Sequence, residues 1–458
     1  MKNKTLIQGG TLITSDLSIP SDLLIENGKI SRIGKNLSNP DAQIIDASGK
    51  YIFAGFIDPH THLDLTTSTR TADNFETGTR AALAGGTTTI IDFATQEHDQ
   101  TLKEALTHWH KLSDGCCSCH YAFHMAISDW NKAVRAEIAE MIDNGIISFK
   151  LYMAYDAMRT SDYDIYEVLK EVKKYNGLVA MHCENGDLVN ALTLDQKKAG
   201  HLSPAAHPLS RPDYAEAEAI SRYLYIAEAA GAPAYIVHLS SKAGLEECMR
   251  GRLRGQQVAI ETCPQYLVLD DSCYNLPDFE SAKYVFAPPA RKKEDQDALW
   301  GALFNNTIDT IGSDHCSFTL KAKALGRDDF SVIPNGIPGV EHRPILYYTL
   351  GVCGQGLTLN QMAAQLSENA AKIYGLYPQK GALLEGSDAD IVIWNPDTEG
   401  VISAKTHHQR VDYTPYEGIS TKGSPETVLL GGEIAVFNGK IILNNAGRYV
   451  KRGICRTL

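Results

Sequence analysis

The chain has 458 residues, room for one large domain and a small one, and its 43% hydrophobic and 21% charged residues are the balance of an ordinary globular protein. A formal charge of −12 without any block of lysine or arginine argues against nucleic acid or an anionic membrane as partner. No apolar run is long enough to span a bilayer, and Met1 to Lys35 lacks a signal-peptide core, so the expected compartment is the cytoplasm.

The first residues read as a small β unit. Leu23-Leu24-Ile25-Glu26-Asn27-Gly28-Lys29-Ile30 sets an Asn-Gly turn between two apolar runs, a hairpin signal. Near the other end, Ile434–Ile441 repeats it around Asn438-Gly439, and Ser387–Trp394 reads as a further strand. Neither end has enough apolar residues for a core of its own. Residues 1–50 and 382–458 are therefore expected to pack together as one β-sandwich, with residues 51–381 as a second domain.

That middle region alternates strand and helix. The expected strands are Tyr51–Ile57, Thr88–Phe93, Tyr121–Met125, Ile147–Leu151, Leu178–Cys183, Ala234–Leu239, Gln257–Cys263 and Ile308–Asp314, short and largely apolar as strands buried on both faces should be. Asp213 to Gly231 is the clearest helix, acidic at its start, with Ile220, Leu224 and Ala227 along one side and glycine at its end. Eight strands with helical connections fit a (β/α)8 barrel, a TIM barrel in the α/β class. A doubly wound open sheet is the alternative, but it could not bring its two edges to a single site.

The case for a single site starts from Asp58-Pro59-His60-Thr61-His62, which follows the first strand. Residues two apart on a strand share a side, so His60 and His62 aim two imidazoles at one point. Lys150, His182, His238 and Asp314 lie at the ends of strands four, five, six and eight, the C-terminal face where barrel enzymes build their sites. Singly, each has a plain alternative as a hydrogen-bonded core or turn residue. Together they read as a binuclear metal centre. Lys150 sits in a run fit for burial, which favours the neutral amine; that amine can add CO2 to give a carbamate (N6-carboxylysine) with one oxygen for each ion. One ion is then held by His60, His62, the Lys150 carbamate and Asp314, and the other by the same carbamate, His182 and His238, with a bridging hydroxide as nucleophile. Nitrogen and oxygen ligands without thiolate suit Zn2+, with Mn2+, Co2+ or Fe2+ as substitutes.

The ten cysteines are scattered. Cys116-Cys117-Ser118-Cys119-His120 contains the spacing of a haem-attachment motif, but haem attachment requires export, so reduced thiols ahead of a strand are expected.

Segments along nearly the whole chain make it resemble the cyclic amidohydrolases of the hydantoinase/dihydropyrimidinase family. They include Gly55-Phe56-Ile57-Asp58-Pro59-His60-Thr61-His62, Gly85-Gly86-Thr87-Thr88-Thr89, Phe149-Lys150 and His182-Cys183-Glu184-Asn185-Gly186. Further on come Ile236-Val237-His238-Leu239-Ser240, Glu261-Thr262-Cys263-Pro264-Gln265-Tyr266, Ser313-Asp314-His315-Cys316 and Pro334-Asn335-Gly336-Ile337-Pro338-Gly339-Val340-Glu341. His-x-His is shared by the wider superfamily; the Cys-Glu-Asn-Gly and Pro-Asn-Gly-x-Pro-Gly segments are more specific. The resemblance implies the same six metal ligands. It also implies a homotetramer, and a catalytic Tyr155 whose hydroxyl polarises the substrate carbonyl. Asn335 and the segment before Pro288-Pro289 would bind the ring amide; relatives usually have serine where this chain has Ala287, a change that a backbone contact survives.

The reaction so implied is hydrolysis of a cyclic ureide, a dihydropyrimidine or 5-substituted hydantoin, to an N-carbamoyl amino acid, with Asp314 shuttling the proton. Dihydroorotase-like relatives usually carry arginine directly after His-x-His; Leu63 stands there instead, which favours a neutral ring. Allantoinase is the nearest alternative. A non-enzymatic, dihydropyrimidinase-like regulator is a third reading, disfavoured because all six ligand positions are filled. For the exocyclic group, the loop after strand four offers Tyr152 and Met158, with Leu63 and Leu65 across the mouth. Arg159 is expected either in solvent or against a polar or aromatic substituent.

Overall fold

The computed structural model describes residues 4–455, so the outermost residues of the expected sandwich segments, 1–3 and 456–458, lie outside the described residues. Eight parallel strands form one sheet in sequence order: β1 Phe56–Thr61, β2 Thr87–Thr95, β3 His120–Ala126, β4 Ser148–Tyr152, β5 Leu178–His182, β6 Ala234–Ile236, β7 Val258–Thr262 and β8 Thr310–Ile311. Helices alternate with them, as a parallel sheet requires. The helix Asp213–Ala230 ends where expected, at Gly231 in the left-handed conformation (φ 60°). Inside the barrel Ile57, Ile91, Ala122, Ala180, Tyr235 and Ala259 share a buried cluster, closed by Ala370, Ala371, Ile373 and Tyr374. The barrel is thus a packed core with its chemistry confined to the strand ends.

The expected strand Tyr51–Ile57 divides in two. Tyr51–Ala54 pairs with Thr11–Ile13 and Ile391–Val401 in a seven-stranded sheet, and the chain enters the barrel only at Phe56. Barrel strand β1 therefore runs on through His60, which lies within it rather than after it. The last strands are shorter than their apolar runs. β6 stops at Ile236 and β8 at Ile311, and beyond them His238 (φ 40°) and Asp314 (φ 49°) take left-handed backbone conformations that no strand accommodates.

Strands from the two ends of the chain share one core. Lys4–Gln8, Asp22–Glu26, Lys29–Gly34 and Gln43–Asp46 form a four-stranded sheet. Its Ile7, Leu23 and Ile25 share a core with Leu12, Ile52, Ile391, Ile393 and Leu429 of the seven-stranded sheet. Both Asn-Gly turns have positive φ at each residue, 55° and 76° at Asn27-Gly28 and 48° and 71° at Asn438-Gly439, the geometry that two-residue hairpins need. Among the described residues no helix is long and apolar enough to cross a membrane, and the ten cysteines are all unpaired.

The eight-stranded sheet has β1 and β8 at its two edges, and side chains complete the closure. Asp58 Oδ1 accepts from the Ser313 amide at 3.0 Å and the His60 amide at 3.1 Å. The His62 amide donates to the His315 carbonyl at 2.8 Å. Below them the fully buried Arg343 donates through Nη1 to the Ile57 carbonyl (2.9 Å) and the Ile311 carbonyl (2.7 Å), and through Nη2 to Thr87 Oγ1 at 3.1 Å. One guanidinium therefore joins the first, second and last strands. Arg343→Met removes these donors and leaves buried Asp58 without its counter-charge. The expected loss is about 3–5 kcal/mol, the usual cost of breaking a buried ion pair from one side. It is to be read as a lower urea midpoint, with reduced metal content in whatever protein remains folded.

Candidate metal centre

The rim at the C-terminal ends of the strands gathers His60, His62 and Asp314. His60 Nε2 and His62 Nε2 each stand 3.2 Å from Asp314 Oδ1. Their ligand atoms lie within 4.8 Å of one another, the spacing of groups that converge on one cation. His60 Nε2 is also buried without a hydrogen-bond partner, a costly state for a polar atom unless something else binds there. Its other nitrogen is accounted for: Nδ1 lies 2.6 Å from Glu261 Oε1, both side chains fully buried. A carboxylate only accepts, so the proton sits on Nδ1 and the Nε2 lone pair faces Asp314.

Across the rim the pattern recurs. His182 Nε2 lies 2.9 Å from Glu184 Oε2, which leaves Nδ1 to face His238 Nε2 at 2.9 Å. Burial would raise the Glu184 carboxyl, but Arg211, 2.5 Å away, and His182 bring it down to about 2. Burial also pulls the His60, His182 and His238 imidazoles below their usual range, so all three are neutral, the form that donates a lone pair to a metal. Asp314 is half-buried, and against the cost of its desolvation the nearby His60 and His62 hold its carboxyl below the usual value.

Lys150 is near enough to both groups for its charge to be felt at His60, His182 and His238. It is 1% exposed, and its Nζ lies over the rings of Phe93 (5.2 Å) and Tyr152 (5.1 Å). Burial draws its ammonium down to about 8, against the pull of Asp314 and Glu261. The donor set of imidazoles, a carboxylate and a readily deprotonated amine, with orphaned His60 Nε2 at its centre, fits divalent metal ions.

Tyr155 has left-handed backbone (φ 66°), its ring 5.2 Å from that of His182 and 5.3 Å from the Arg211 guanidinium. Burial lifts its phenol well above the ordinary value, so the hydroxyl keeps its proton at neutral pH. Much of the Cys-Glu-Asn-Gly segment serves this placement. Glu184 orients His182, and Asn185 caps the helix Gly186–Lys198 by accepting from the Leu188 amide at 3.0 Å. Gly186 lets the tyrosine loop close in, since a Cβ there would stand 2.9 Å from the Met153 carbonyl oxygen.

Tyr152 is buried beside the centre, its ring 5.7 Å from that of His182. Ala287 is buried and precedes a cis peptide to Pro288, while Asn335 is half-buried in a segment that runs beside Cys316. Leu63 turns inward from the expected mouth, and Arg159 is exposed, the solvent position that is one of its two expected placements. Leu63 is buried against Gly78 of the helix Phe75–Ala84, because its backbone amide is turned toward Asp92 Oδ2 (2.9 Å) and its side chain into the core. The Arg159 guanidinium pairs with Asp187 at 2.5 Å and reaches Asp156 at 3.9 Å. Sequence reasoning missed Glu261, Glu184, Arg211 and Asp92. For the three carboxylates the one signal was an acidic residue inside or just after an otherwise apolar strand; Arg211, between two helices, had none.

Residues 51–435 match the model of the amidohydrolase family. The chain is 45% identical to the D-hydantoinase of Geobacillus stearothermophilus, over 98% of this chain and 96% of that protein. It is 37% identical to the dihydropyrimidinase of Rattus norvegicus, over 98% of this chain and 89% of the other. Among solved structures it is similar to the dihydropyrimidinase of Brevibacillus agri, with a TM-score of 0.98 and 42% identity over 99% of both chains.

The hydrogen bond from His60 to Glu261 generates a test. Glu261→Gln keeps an acceptor of the same shape and removes the charge, so metal affinity should fall about tenfold to a hundredfold, the usual consequence of losing a carboxylate behind a metal-ligating histidine. Competitive chelator titration of the folded variant measures it.

Proposed function

Because the chain belongs to the amidohydrolase family, in its hydantoinase and dihydropyrimidinase branch, we propose that it hydrolyses a cyclic ureide, a 5-substituted hydantoin or a dihydropyrimidine, to the N-carbamoyl amino acid. The observation that carries this is the convergence of His60, His62 and Asp314 on one point of the barrel rim, opposite the facing pair His182 and His238.

The proposed occupant is a pair of divalent ions, with Zn2+ the best match to the donors and Mn2+, Co2+ or Fe2+ as alternatives. His60, His62 and Asp314 would hold one, and His182 and His238 the other. Lys150 would serve the pair: its neutral Nζ would add CO2, an N–C bond forming as a C=O π bond opens and a proton leaves to water, and the resulting N6-carboxylysine would offer two oxygens as donors. Ions so bound lower the pKa of water and supply a nucleophile at neutral pH. The remaining work falls to the chain itself. Tyr155 donates its hydroxyl hydrogen to the carbonyl oxygen of the ring as negative charge develops there. Asp314 takes a proton from the attacking water and delivers it to the departing ring nitrogen. Asn335 and the backbone around Ala287 hold the ring amide. Tyr152 and Met158 border the exocyclic group, which Arg159 would reach only by releasing Asp187. We place the enzyme in the cytoplasm, a reducing compartment in keeping with ten unpaired cysteines, and as a homotetramer, to be checked by light scattering.

The experiment is a substrate panel of dihydrouracil, hydantoin, 5-phenylhydantoin, allantoin and dihydroorotate, run before and after chelation. Ring opening of the first three, abolished by chelation and restored by metal, is the expected result. Preference for allantoin or dihydroorotate would move the enzyme to another branch of the family. Lys150→Ala should lose activity and recover part of it with short carboxylic acids that replace the carbamate; undiminished activity would rule the carbamate out. Tyr155→Phe should lower kcat by about two to three orders of magnitude, the cost of one oxyanion donor, with metal content unchanged.

A further inference from the structure

Lys323 is used by nothing described so far. It ends the short helix Leu320–Lys323, nine residues past Asp314, and its side chain is fully buried. Nζ donates three hydrogen bonds, to the carbonyls of Val285 (2.6 Å), Pro334 (2.6 Å) and Gly336 (2.7 Å). Three acceptors need three N–H donors, which only the ammonium supplies. Among the described residues no carboxylate pairs with it, and burial draws its pKa down to about 7. A lone buried cation is a costly choice where an apolar side chain would pack, so its three partners bear on its use.

Those partners come from two separate loops. Val285 is two residues before Ala287, and Pro334 and Gly336 flank Asn335. The loops touch directly, the Gly336 amide donating to the Val285 carbonyl at 3.1 Å. The second loop lies on the chain that carries Asp314: the Cys316 amide donates to the Ile337 carbonyl at 3.1 Å, and a Cβ on Gly336 would stand 2.4 Å from the Cys316 carbonyl oxygen. With no side chain at Gly336, the second loop packs against the chain at Cys316, two residues past Asp314. The ammonium sits where all three backbones meet.

We propose that Lys323 is the positioning residue for the ring amide, fixing the backbone on both sides of Asn335 and ahead of Ala287 relative to Asp314. This rests on the reading of the site as a cyclic-ureide hydrolase. Lys323 touches neither substrate nor metal ligand; it sets the distance between the surface that grips the ring and the centre that attacks it.

The test is Lys323→Met, which keeps the length of the side chain and removes the donors, with Lys323→Gln, which keeps two N–H groups, as its graded partner. For hydantoin and dihydrouracil, KM should rise about tenfold to a hundredfold in Lys323→Met, the effect of unpaired buried carbonyls behind a binding contact. It should rise less in Lys323→Gln, and kcat should stay within about threefold, because the contact is uniform between ground and transition state. Metal content should be unchanged, and amide exchange should speed up in residues 285–287 and 335–337 alone. An unchanged KM in a folded variant, a loss falling mainly on kcat, or faster exchange throughout the barrel would each overturn the assignment. If the Met variant does not fold, the Gln variant is judged on the same criteria. If the wild-type enzyme opens no cyclic ureide, the functional reading falls, and the exchange pattern alone decides whether Lys323 ties the two loops.

Discussion

The structure depends on how its barrel is closed. Seven of the eight strand junctions are ladders in which each strand is bonded to its sequence neighbour. The eighth, between β1 and the two-residue β8, has no ladder, only an isolated bridge of Thr61 with His315 beyond the end of β8. Arg343, Asp58 and the bond from His62 to His315 close it, and the candidate metal cluster straddles the same seam, His60 and His62 on one side and Asp314 on the other. Had the seam been a regular ladder, Asp314 would have continued a strand and lost the left-handed turn that aims its carboxylate. An irregular junction is therefore where backbone strain can be spent on geometry.

Around that junction the electrostatics follow a pattern. Two of the three buried imidazoles that have to offer a lone pair have their other nitrogen bound to a carboxylate, Glu261 behind His60 and Glu184 behind His182, while His238 Nδ1 has no hydrogen-bond partner among the described residues. The carboxylates are managed differently. Glu184 is neutralised by a cation, Arg211, that also lies against the Tyr155 ring. Glu261 has no arginine and relies on hydrogen bonds, from His60 and from the Tyr235 hydroxyl at 3.0 Å, together with the field of Lys150. Lys150 thus balances a charge in the free protein, and its conversion to an anion would be matched by the arrival of metal cations.

How much of this was legible in the sequence follows from the range of each interaction. The barrel was readable because strand apolarity and helix caps are local. The histidines were readable because residue type and strand end are both written locally, and the Asn-Gly hairpins for the same reason. Tyr155, Asn335 and Ala287 came only through resemblance, since nothing in their neighbours marks them. Arg343 was invisible: its carbonyl partners lie 286 and 32 residues away, and a backbone carbonyl leaves no trace in residue type. Leu63 was misplaced because sequence gives a residue's position and not the direction of its side chain; the pull of Asp92 on its amide decided that. Tyr51–Ile57 was read as one strand because both halves are apolar, though they serve two different sheets.

The loop that carries Tyr155 does not stand alone on the rim. Beyond the close approach at Gly186, Arg159 pairs with Asp187, and the Asn190 side chain donates to Asp156 at 2.9 Å, so the loop is fastened along the first turns of the helix that follows His182. Loop and helix are one unit of inheritance. A graft meant to change which substituent the enzyme accepts would have to carry both segments, 152–160 and 182–190, from the same donor. Exchanged singly, either would arrive without the surface it was fitted to, and the mismatch would be felt at His182 before it was felt by any substrate.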